Sequence, residues 1–218
     1  MKNLSVPGSH CPACNKKITW YENIPVISWL LLRGQCSACR SKISAQYPAV
    51  ELITGLLFLA IVWLNPSFTL LQNTVYTSIC ATALALILID YKKQLLPDLL
   101  LGILLILTLF IYAQNWNFLV FSEGLKSAII SYCVLWLLSR LGHTWKGTTM
   151  MGEGDLKLVF ILGFYIEPLK LPHAFTAAFA LFIAQVVLSG KTSKNKSTTH
   201  AFGPALILGF LIFQSLIK

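Results

Sequence analysis

Seven long apolar segments follow one another along the chain, and they constrain its fold more than any other feature. They run over residues 48–64, 74–90, 97–113, 123–141, 151–167, 172–189 and 203–217. Each is roughly long enough to cross the ~30 Å hydrocarbon core of a bilayer as a helix. A backbone in lipid must satisfy its own polar groups, and the segments lack the alternating pattern of barrel strands. The sequence therefore predicts an all-α polytopic membrane protein with about seven transmembrane helices.

The composition supports the same class of protein. Hydrophobic residues make up 56% of the chain and charged residues only 11%, whereas soluble domains carry about 25% charged residues. The net charge of +9 does not indicate nucleic-acid binding, because the basic residues lie in the gaps between apolar segments. Only the first 47 residues resemble a soluble protein. We therefore predict two domains, residues 1–47 outside the bilayer and residues 48–218 within it.

The distribution of lysine and arginine predicts how the chain is oriented. One side of the membrane receives the N-terminal segment and alternate loops, with Lys2, Lys16, Lys17, Arg33, Arg40, Lys42, Lys92, Lys93, Arg140, Lys146, Lys191, Lys194 and Lys196. The other side receives Lys126, Lys170 and Lys218. By the positive-inside rule, the richer side is cytoplasmic. We expect the N-terminal domain and the loops 91–96, 142–150 and 190–202 to face the cytoplasm.

Four cysteines in the N-terminal segment form two CxxC pairs. Cys11 and Cys14 are separated from Cys36 and Cys39 by 21 residues. Each pair can form a knuckle that presents two thiolates, and two knuckles complete a tetrahedral Zn²⁺ site. The alternative is a pair of disulfides, but a cytoplasmic domain is kept reduced. We predict a structural zinc site, since no open coordination position is evident.

Two aspartates are expected at the cytoplasmic edge of the membrane. Asp90 ends the apolar run ALALILID, and Asp155 opens the fifth apolar segment. Charged groups in or beside membrane helices are costly and usually functional. The alternative is that each aspartate caps a helix end, which suits Asp155 at a helix N-terminus better than Asp90 at a C-terminus. Position alone leaves both interpretations open.

The glycines before Asp155 favour a functional role. Gly152 and Gly154 let the backbone take a positive φ or approach another chain closely, which is useful where a peptide must lie against an active site. Two carboxylates in one partly dry site share a proton. The ionised member can activate a water while the protonated member polarises a carbonyl. This is aspartyl protease chemistry, and the sequence leaves open which aspartate takes which role.

Other charged residues have weaker functional interpretations. Asp98 follows Pro97, where a turn or interface position explains it. Glu51 either faces the helix bundle and supports the site, or reaches the cytoplasmic interface. Lys157 either holds a neighbouring carboxylate or extends its side chain to the interface.

Four stretches together resemble a known family. They are residues 7–55, which include both CxxC pairs, LILIDYKKQLLPD, MMGEGDLKL and AFGPALILG. The chain resembles the type IV prepilin peptidases, which belong with the GxGD intramembrane aspartyl proteases. The resemblance implies that Asp90 and Asp155 are the catalytic pair and that the four cysteines bind zinc. It also implies the substrates, prepilins or type II secretion pseudopilins in the bacterial inner membrane. Their basic leader is cut after a glycine at the cytoplasmic face, and the new N-terminus is methylated with S-adenosylmethionine.

The start of the chain departs from the family pattern. Family members usually begin with another transmembrane helix before the PGSHCP stretch, and this chain starts almost at that stretch. A late start, a trimmed chain or a lost helix would each explain the difference. Two other functions fit the sequence less well. An ion-coupled transporter would carry its acids near mid-membrane, and an inactive scaffold would not need both aspartates.

Overall fold

The computed structural model describes residues 10–114, 116–146, 151–188 and 201–215. In this part of the chain, regular structure is helical. Besides 3₁₀ turns at Trp20–Asn23 and Pro168–Lys170, the α-helices are α1 (Ile27–Leu31), α2 (Gln46–Leu64), α3 (Leu70–Lys93), α4 (Asp98–Gln114), α5 (Phe118–Lys146), α6 (Glu153–Gly163), α7 (Leu171–Leu188) and α8 (Gly203–Ser215).

The helices α2 to α8 correspond to the seven apolar segments. Four stretches of the described residues are long and apolar enough to cross a membrane, namely Gln46–Leu64, Leu70–Lys93, Phe118–Gly142 and Pro168–Leu188. The helix α4 is apolar but has 17 residues, and α6 and α8 have 11 and 13 residues. The prediction of an all-helical, multi-pass membrane protein is confirmed, while the number seven stays a prediction.

The chain divides into two compact units, Met1–Thr77 and Ser78–Lys218. In the first unit, the turn that bears Cys11 and Cys14 precedes α1, and the turn that bears Cys36 and Cys39 lies between α1 and α2. The backbone N–H of Val26, just before α1, donates to the carboxylate of Glu51 on α2 at 2.9 Å. Glu51 is exposed, so of the two alternatives for this residue the structure supports a surface position. Its carboxylate ties the start of α1 to the first turns of α2.

Small residues set the helix spacing in the second unit. A Cβ on Gly163 of α6 would lie 2.5 Å from the Cα of Ala128 on α5, and a Cβ on Gly209 of α8 would lie 2.6 Å from the Cα of Ala178 on α7. Such close approach is typical of membrane helices, which associate through van der Waals packing rather than the hydrophobic effect. The two helix pairs α5–α6 and α7–α8 therefore pack backbone to backbone.

Hydrogen bonds between helices fix α6 further. The buried hydroxyl of Ser131 on α5 donates to the carbonyl of Val159 at 3.2 Å, and the hydroxyl of Tyr112 on α4 donates to the carbonyl of Phe164 at 2.5 Å. The second bond satisfies a carbonyl group just beyond the helix end, where intrahelical partners are missing. Because α6 is held by both neighbours, the position of Asp155 in its first turn is also fixed.

Candidate active site

Asp90 lies in the last turn of α3 and is only 5% exposed. The helix ends three residues later, where Gln94 takes a left-handed φ of 51° and its N–H donates to the carbonyl of Asp90 at 2.8 Å. One carboxylate oxygen, Oδ2, accepts the backbone N–H of Gly203 at 3.0 Å. Gly203 is the first residue of α8, so the contact joins two helices that are far apart in sequence.

Asp155 lies in the first turn of α6 and is partly buried. Gly152 precedes the helix as its N-cap with extended backbone, φ −73° and ψ 149°. The N–H of Asp155 donates to the carbonyl of Gly152 at 3.2 Å, which closes the first turn. The negative charge of Asp90 acts on the carboxyl group of Asp155. The two aspartates predicted from the sequence are thus close enough for the charge of one to affect the other.

Leu96 fills the space between the two aspartate-bearing regions and α8. A Cβ on Gly154 would lie 2.8 Å from the Cβ of Leu96, and a Cβ on Gly203 would lie 3.5 Å from its Cδ2. Gly154 therefore allows close packing against Leu96 of the same chain, while the close approach of a substrate peptide to these glycines stays a prediction. Neither Gly152 nor Gly154 has a positive φ, and a Cβ on Gly152 would make only an ordinary 3.6 Å contact with Asp155 Oδ2.

The arrangement has the features that a carboxyl pair needs for acid–base chemistry. Asp90 is buried, Asp155 is half-buried, and the charge of Asp90 acts on the carboxyl group of Asp155. Two such groups titrate as a pair, so that one proton is shared over a range of pH. A pair in this state can remove a proton from water and donate one to a carbonyl oxygen.

Asp98 and Lys157 form a separate polar contact. The ammonium of Lys157 lies 2.5 Å from the Asp98 carboxylate, and the two side chains are 50% and 76% exposed. They flank an apolar groove of about 500 Å³ lined by Leu101, Gly102, Leu105, Tyr132, Phe160 and Ile161. Lys157 thus holds a neighbouring carboxylate, as one of its two interpretations predicted, and that carboxylate is the one at the start of α4.

Sequence reasoning missed two residues of the site, Gly203 and Leu96. The sequence signal for Gly203 was the Gly-Pro pair that opens the last apolar run, within the stretch AFGPALILG. Leu96 carried no signal, because an apolar residue in a short loop is common. Leu96 gains its role, filling the space beside Gly154 and Gly203, only because α6 and α8 pack against that loop.

The four N-terminal cysteines form a second candidate site. Their sulfur atoms lie within 4.8 Å of one another, with 3.8 Å between Cys11 and Cys39 and 4.0 Å between Cys14 and Cys36. Zn–S bonds of ~2.3 Å in a tetrahedron place the sulfur atoms about 3.8 Å apart. The spacing therefore fits one Zn²⁺ bound by all four thiolates.

Two matching turns build this cluster. In the first, the N–H of Cys11 donates to the carbonyl of Lys16 at 2.9 Å, and in the second the N–H of Cys36 donates to Ser41 at 2.9 Å. The residue after the second cysteine of each turn, Asn15 or Arg40, has the same left-handed φ of 56°. Each CxxC pair is thus a knuckle, as its spacing predicted.

The knuckles also affect how the thiols ionise. Backbone N–H groups of Cys14 and Ala13, together with the Ser41 hydroxyl, lower the pKa of Cys11 to about 6. The backbone N–H of Lys16 favours the thiolate of Cys14 too, but desolvation and the neighbouring sulfur atoms outweigh it and raise the pKa of Cys14 to about 11. A bound dication would favour the deprotonation of all four thiols.

Glu22 links the two knuckles. Its carboxylate accepts hydrogen bonds from the Lys16 ammonium at 3.1 Å, the Ser37 hydroxyl at 2.5 Å and the Thr19 N–H at 3.0 Å. The Ser37 hydroxyl, followed by the Thr19 and Lys16 groups, lowers the pKa of Glu22 to about 2. The carboxylate is therefore ionised at neutral pH and holds the first knuckle, through Lys16, next to the second.

Two family models match the chain. The one described as the bacterial peptidase A24 N-terminal domain matches residues 1–65, and the one described as the type IV leader peptidase family matches residues 77–188. The first range contains the cysteine cluster, and the second contains Asp90 and Asp155. No solved structure matches the chain significantly.

Curated relatives resemble almost the whole chain. A prepilin leader peptidase/N-methyltransferase of Neisseria gonorrhoeae is 36% identical over 98% of this chain and 73% of its own length. The type 4 prepilin-like proteins leader peptide-processing enzyme of Escherichia coli O78:H11 is 32% identical over 95% of this chain and 75% of its own length. A prepilin leader peptidase/N-methyltransferase of Stutzerimonas stutzeri is 36% identical, covering 94% and 71%.

Proposed function

The chain belongs to the type IV leader peptidase family, and from this premise we propose that it cleaves the leader from prepilins or pseudopilins and N-methylates the product. The observation that carries the proposal is the buried Asp90, which accepts the N–H of Gly203 and whose charge acts on the half-buried Asp155. The two carboxyl groups come from different helices and lie at helix ends. A carboxyl pair can hydrolyse a peptide bond without a nucleophilic side chain.

The carboxyl pair performs hydrolysis by moving two protons. The ionised aspartate takes a proton from a water molecule, whose oxygen attacks the scissile carbonyl carbon, while the protonated aspartate gives its proton to the carbonyl oxygen. The C–N bond of the resulting tetrahedral intermediate then breaks, and the amine leaves with a proton returned by the pair. The burial of Asp90 strengthens these interactions, because water competes less in a dry site.

The proposed topology places this chemistry at the cytoplasmic edge of the bacterial inner membrane. All seven helices α2 to α8 would cross or enter the bilayer, and the basic loops would face the cytoplasm. Asp90 and Asp155 lie at helix ends rather than mid-helix. A basic leader that remains in the cytoplasm would therefore reach them while the apolar part of the substrate stays in lipid. This position argues against an ion-coupled transporter.

The cysteine cluster is proposed to hold a structural Zn²⁺. Its sulfur spacing supports this, and the metal would cross-link the two knuckles of a small N-terminal cytoplasmic domain, residues 1–47, before the membrane domain 48–218. Zinc would supply folding energy there rather than catalysis. Methyl transfer from S-adenosylmethionine rests on the names of the relatives, and we assign no residue to the binding of the methyl donor.

A reconstituted assay tests both proposed activities. The purified chain, in detergent or liposomes, is incubated with a prepilin, with and without S-adenosylmethionine, and products are followed by gel mobility and mass spectrometry. Cleavage after the glycine is expected under both conditions, and the mass of one added methyl group is expected only with the donor. A prepilin whose glycine is replaced by a bulky residue serves as the matched control. Equal cleavage of both substrates, or none of either, would contradict the proposed function.

A further inference from the structure

The contact between Asp90 and Gly203 extends into a larger structure on α7. Phe202, the residue before Gly203, packs against two aromatic rings of α7. Its ring centroid lies 5.6 Å from that of Phe179 and 5.1 Å from that of Phe182, the second pair edge to face at 90°. One turn further along α7, the side-chain amide of Gln185 donates to the carbonyl of Ala201 at 3.2 Å. We call Phe179, Phe182 and Gln185 the α7 clamp.

The α7 clamp fixes the backbone immediately before α8. Edge-to-face aromatic pairs have a preferred geometry, and a hydrogen bond to a backbone carbonyl sets the orientation of the peptide plane. Ala201 is 6% exposed, so its carbonyl has little access to water and would be costly to leave unpaired. The next peptide unit, between Phe202 and Gly203, carries the N–H of Gly203.

Gly203 is the point at which this backbone meets the candidate dyad. Its N–H donates to Asp90 Oδ2. A Cβ at this position would lie 2.7 Å from the same oxygen and 3.3 Å from Asp90 Cγ, so any other residue would have to displace the carboxylate. Pro204 follows and has no N–H. The hydrogen bond that Asp90 accepts from the first turn of α8 therefore comes from the N–H of Gly203.

We propose that Gly203, set in place by the α7 clamp, is a positioning residue that fixes the orientation of the Asp90 carboxylate. This rests on the proposed function for its effect on catalysis, but the contact itself is independent of activity. The consequence is that α7, which carries neither aspartate, controls one half of the pair. Since a misplacement of about 1 Å at a catalytic group can cost ~100-fold in rate, the clamp should act mainly on kcat.

The main test compares two glycines of α8. Gly203→Ala is expected to lower kcat for leader cleavage by about 100-fold with KM nearly unchanged. Gly209→Ala is the matched control, because its Cβ would meet Ala178 of α7 at 2.6 Å, which strains the packing of the same helix without touching Asp90. If both variants lose activity equally through a lower amount of folded protein, Gly203 acts only structurally and the proposal is overturned.

A second pair of variants tests the clamp without adding bulk at Asp90. Gln185→Met removes the amide donor and keeps the length of the side chain, and we expect a several-fold lower kcat. Ile183→Met changes an exposed position of the same helix, 61% accessible, and should leave kcat unchanged. Equal kcat values for the two variants would show that the α7 clamp does not affect the orientation of Asp90.

A measurement that needs no substrate separates this proposal from the proposed function. Dicyclohexylcarbodiimide reacts with membrane carboxyl groups, and the rate of Asp90 modification can be read by mass spectrometry of the corresponding peptide. We expect Gly203→Ala to change this rate at least several-fold, and Ile183→Met, at an exposed position of α7, to leave it unchanged. An unchanged rate in Gly203→Ala would overturn the positioning role. A changed rate in a chain that never cleaves prepilin would support the contact and count against the proposed function.

Discussion

Two carboxylates in different regions of the molecule accept a backbone N–H just before or at the start of a helix, yet the two sites are built differently. In the N-terminal unit, Glu51 accepts the N–H of Val26 at 2.9 Å. In the second unit, Asp90 accepts the N–H of Gly203 at 3.0 Å. The first carboxylate is exposed and the second is 5% exposed. The same hydrogen bond therefore lies in water in one case and in packed protein in the other.

The backbone donors differ as well. Val26 has φ 59° and ψ −48°, and the N–H of Ile27 donates to the carbonyl of Pro25 at 2.5 Å, so a β-branched residue occupies a strained γ-turn. Gly203 has no Cβ and no strain of this kind. The comparison indicates that the N-terminal region tolerates local strain to join α1 to α2, whereas the candidate active site removes side-chain atoms so that groups can come close.

The largest expected effect concerns the cysteine cluster. Cys11→Ser should abolish stoichiometric zinc binding, because one thiolate of a closed tetrahedral site is lost and structural zinc contributes ~10 kcal/mol to folding. Zinc is measured by elemental analysis of the purified protein. Cys133→Ser, on an exposed position of α5, is the control and should keep one zinc per chain. Full zinc content in both variants would contradict the Cys₄ assignment.

The next prediction moves each of the two carboxylates by one methylene group. Asp90→Glu should lower the cleavage rate about 100-fold, since the buried group has no room to adjust. Glu51→Asp should leave the rate near that of the unchanged chain, because its exposed contact with Val26 can be replaced by water. Cleavage kinetics on the same prepilin provide the measurement. A comparable loss in both variants would mean that burial does not distinguish the two sites.

A smaller effect is expected from the two glycines of the GxGD motif. Gly154→Ala places a Cβ 2.8 Å from the Cβ of Leu96, and overpacking of this kind costs about 1–3 kcal/mol. Gly152→Ala gives only a 3.6 Å contact with Asp155 and should be milder. Thermal unfolding and cleavage are measured for both. The close-packing account fails if Gly152→Ala is the more damaging change.

The smallest effect concerns the strain at Val26. Val26→Gly should stabilise the N-terminal unit by about 1 kcal/mol, because glycine accepts a positive φ and the relief of strain exceeds its entropic cost. Val26→Ala keeps the Cβ and should not stabilise. Hydrogen exchange at residues 20–45, followed by mass spectrometry, reports local stability. If glycine and alanine slow exchange to the same extent, the turn is not strained.

Local pattern was enough to predict the helices and the cysteine cluster. Apolar length predicted α2 to α8, and CxxC spacing predicted two knuckles, because each depends on residues close in sequence. Helix ends were less accurate. The predicted segment 151–167 is longer than the observed α6, Glu153–Gly163. The helix ends early because the N–H groups of Phe164 and Tyr165 donate to carbonyls three residues back, which forms a turn. Hydrophobicity alone does not indicate where such a turn begins.

The candidate site was predicted only in part. Asp90 and Asp155 could be chosen as candidates because acids are rare in an apolar chain and are costly at a membrane edge. The Gly203 contact spans 113 residues, and the role of Leu96 depends on three segments packing together. Neither could be read from periodicity, since each depends on which helices become neighbours.

Replacing each aspartate of the pair with asparagine tests most directly whether the pair is catalytic. Asp90→Asn and Asp155→Asn keep size and remove the ionisable group, and both proteins should insert in the membrane at normal levels. We expect that neither variant produces detectable mature pilin from a prepilin that the unchanged chain processes. If either variant retains near-normal cleavage, that aspartate is not catalytic, and the site built from Asp90, Asp155 and Gly203 is not the peptidase centre.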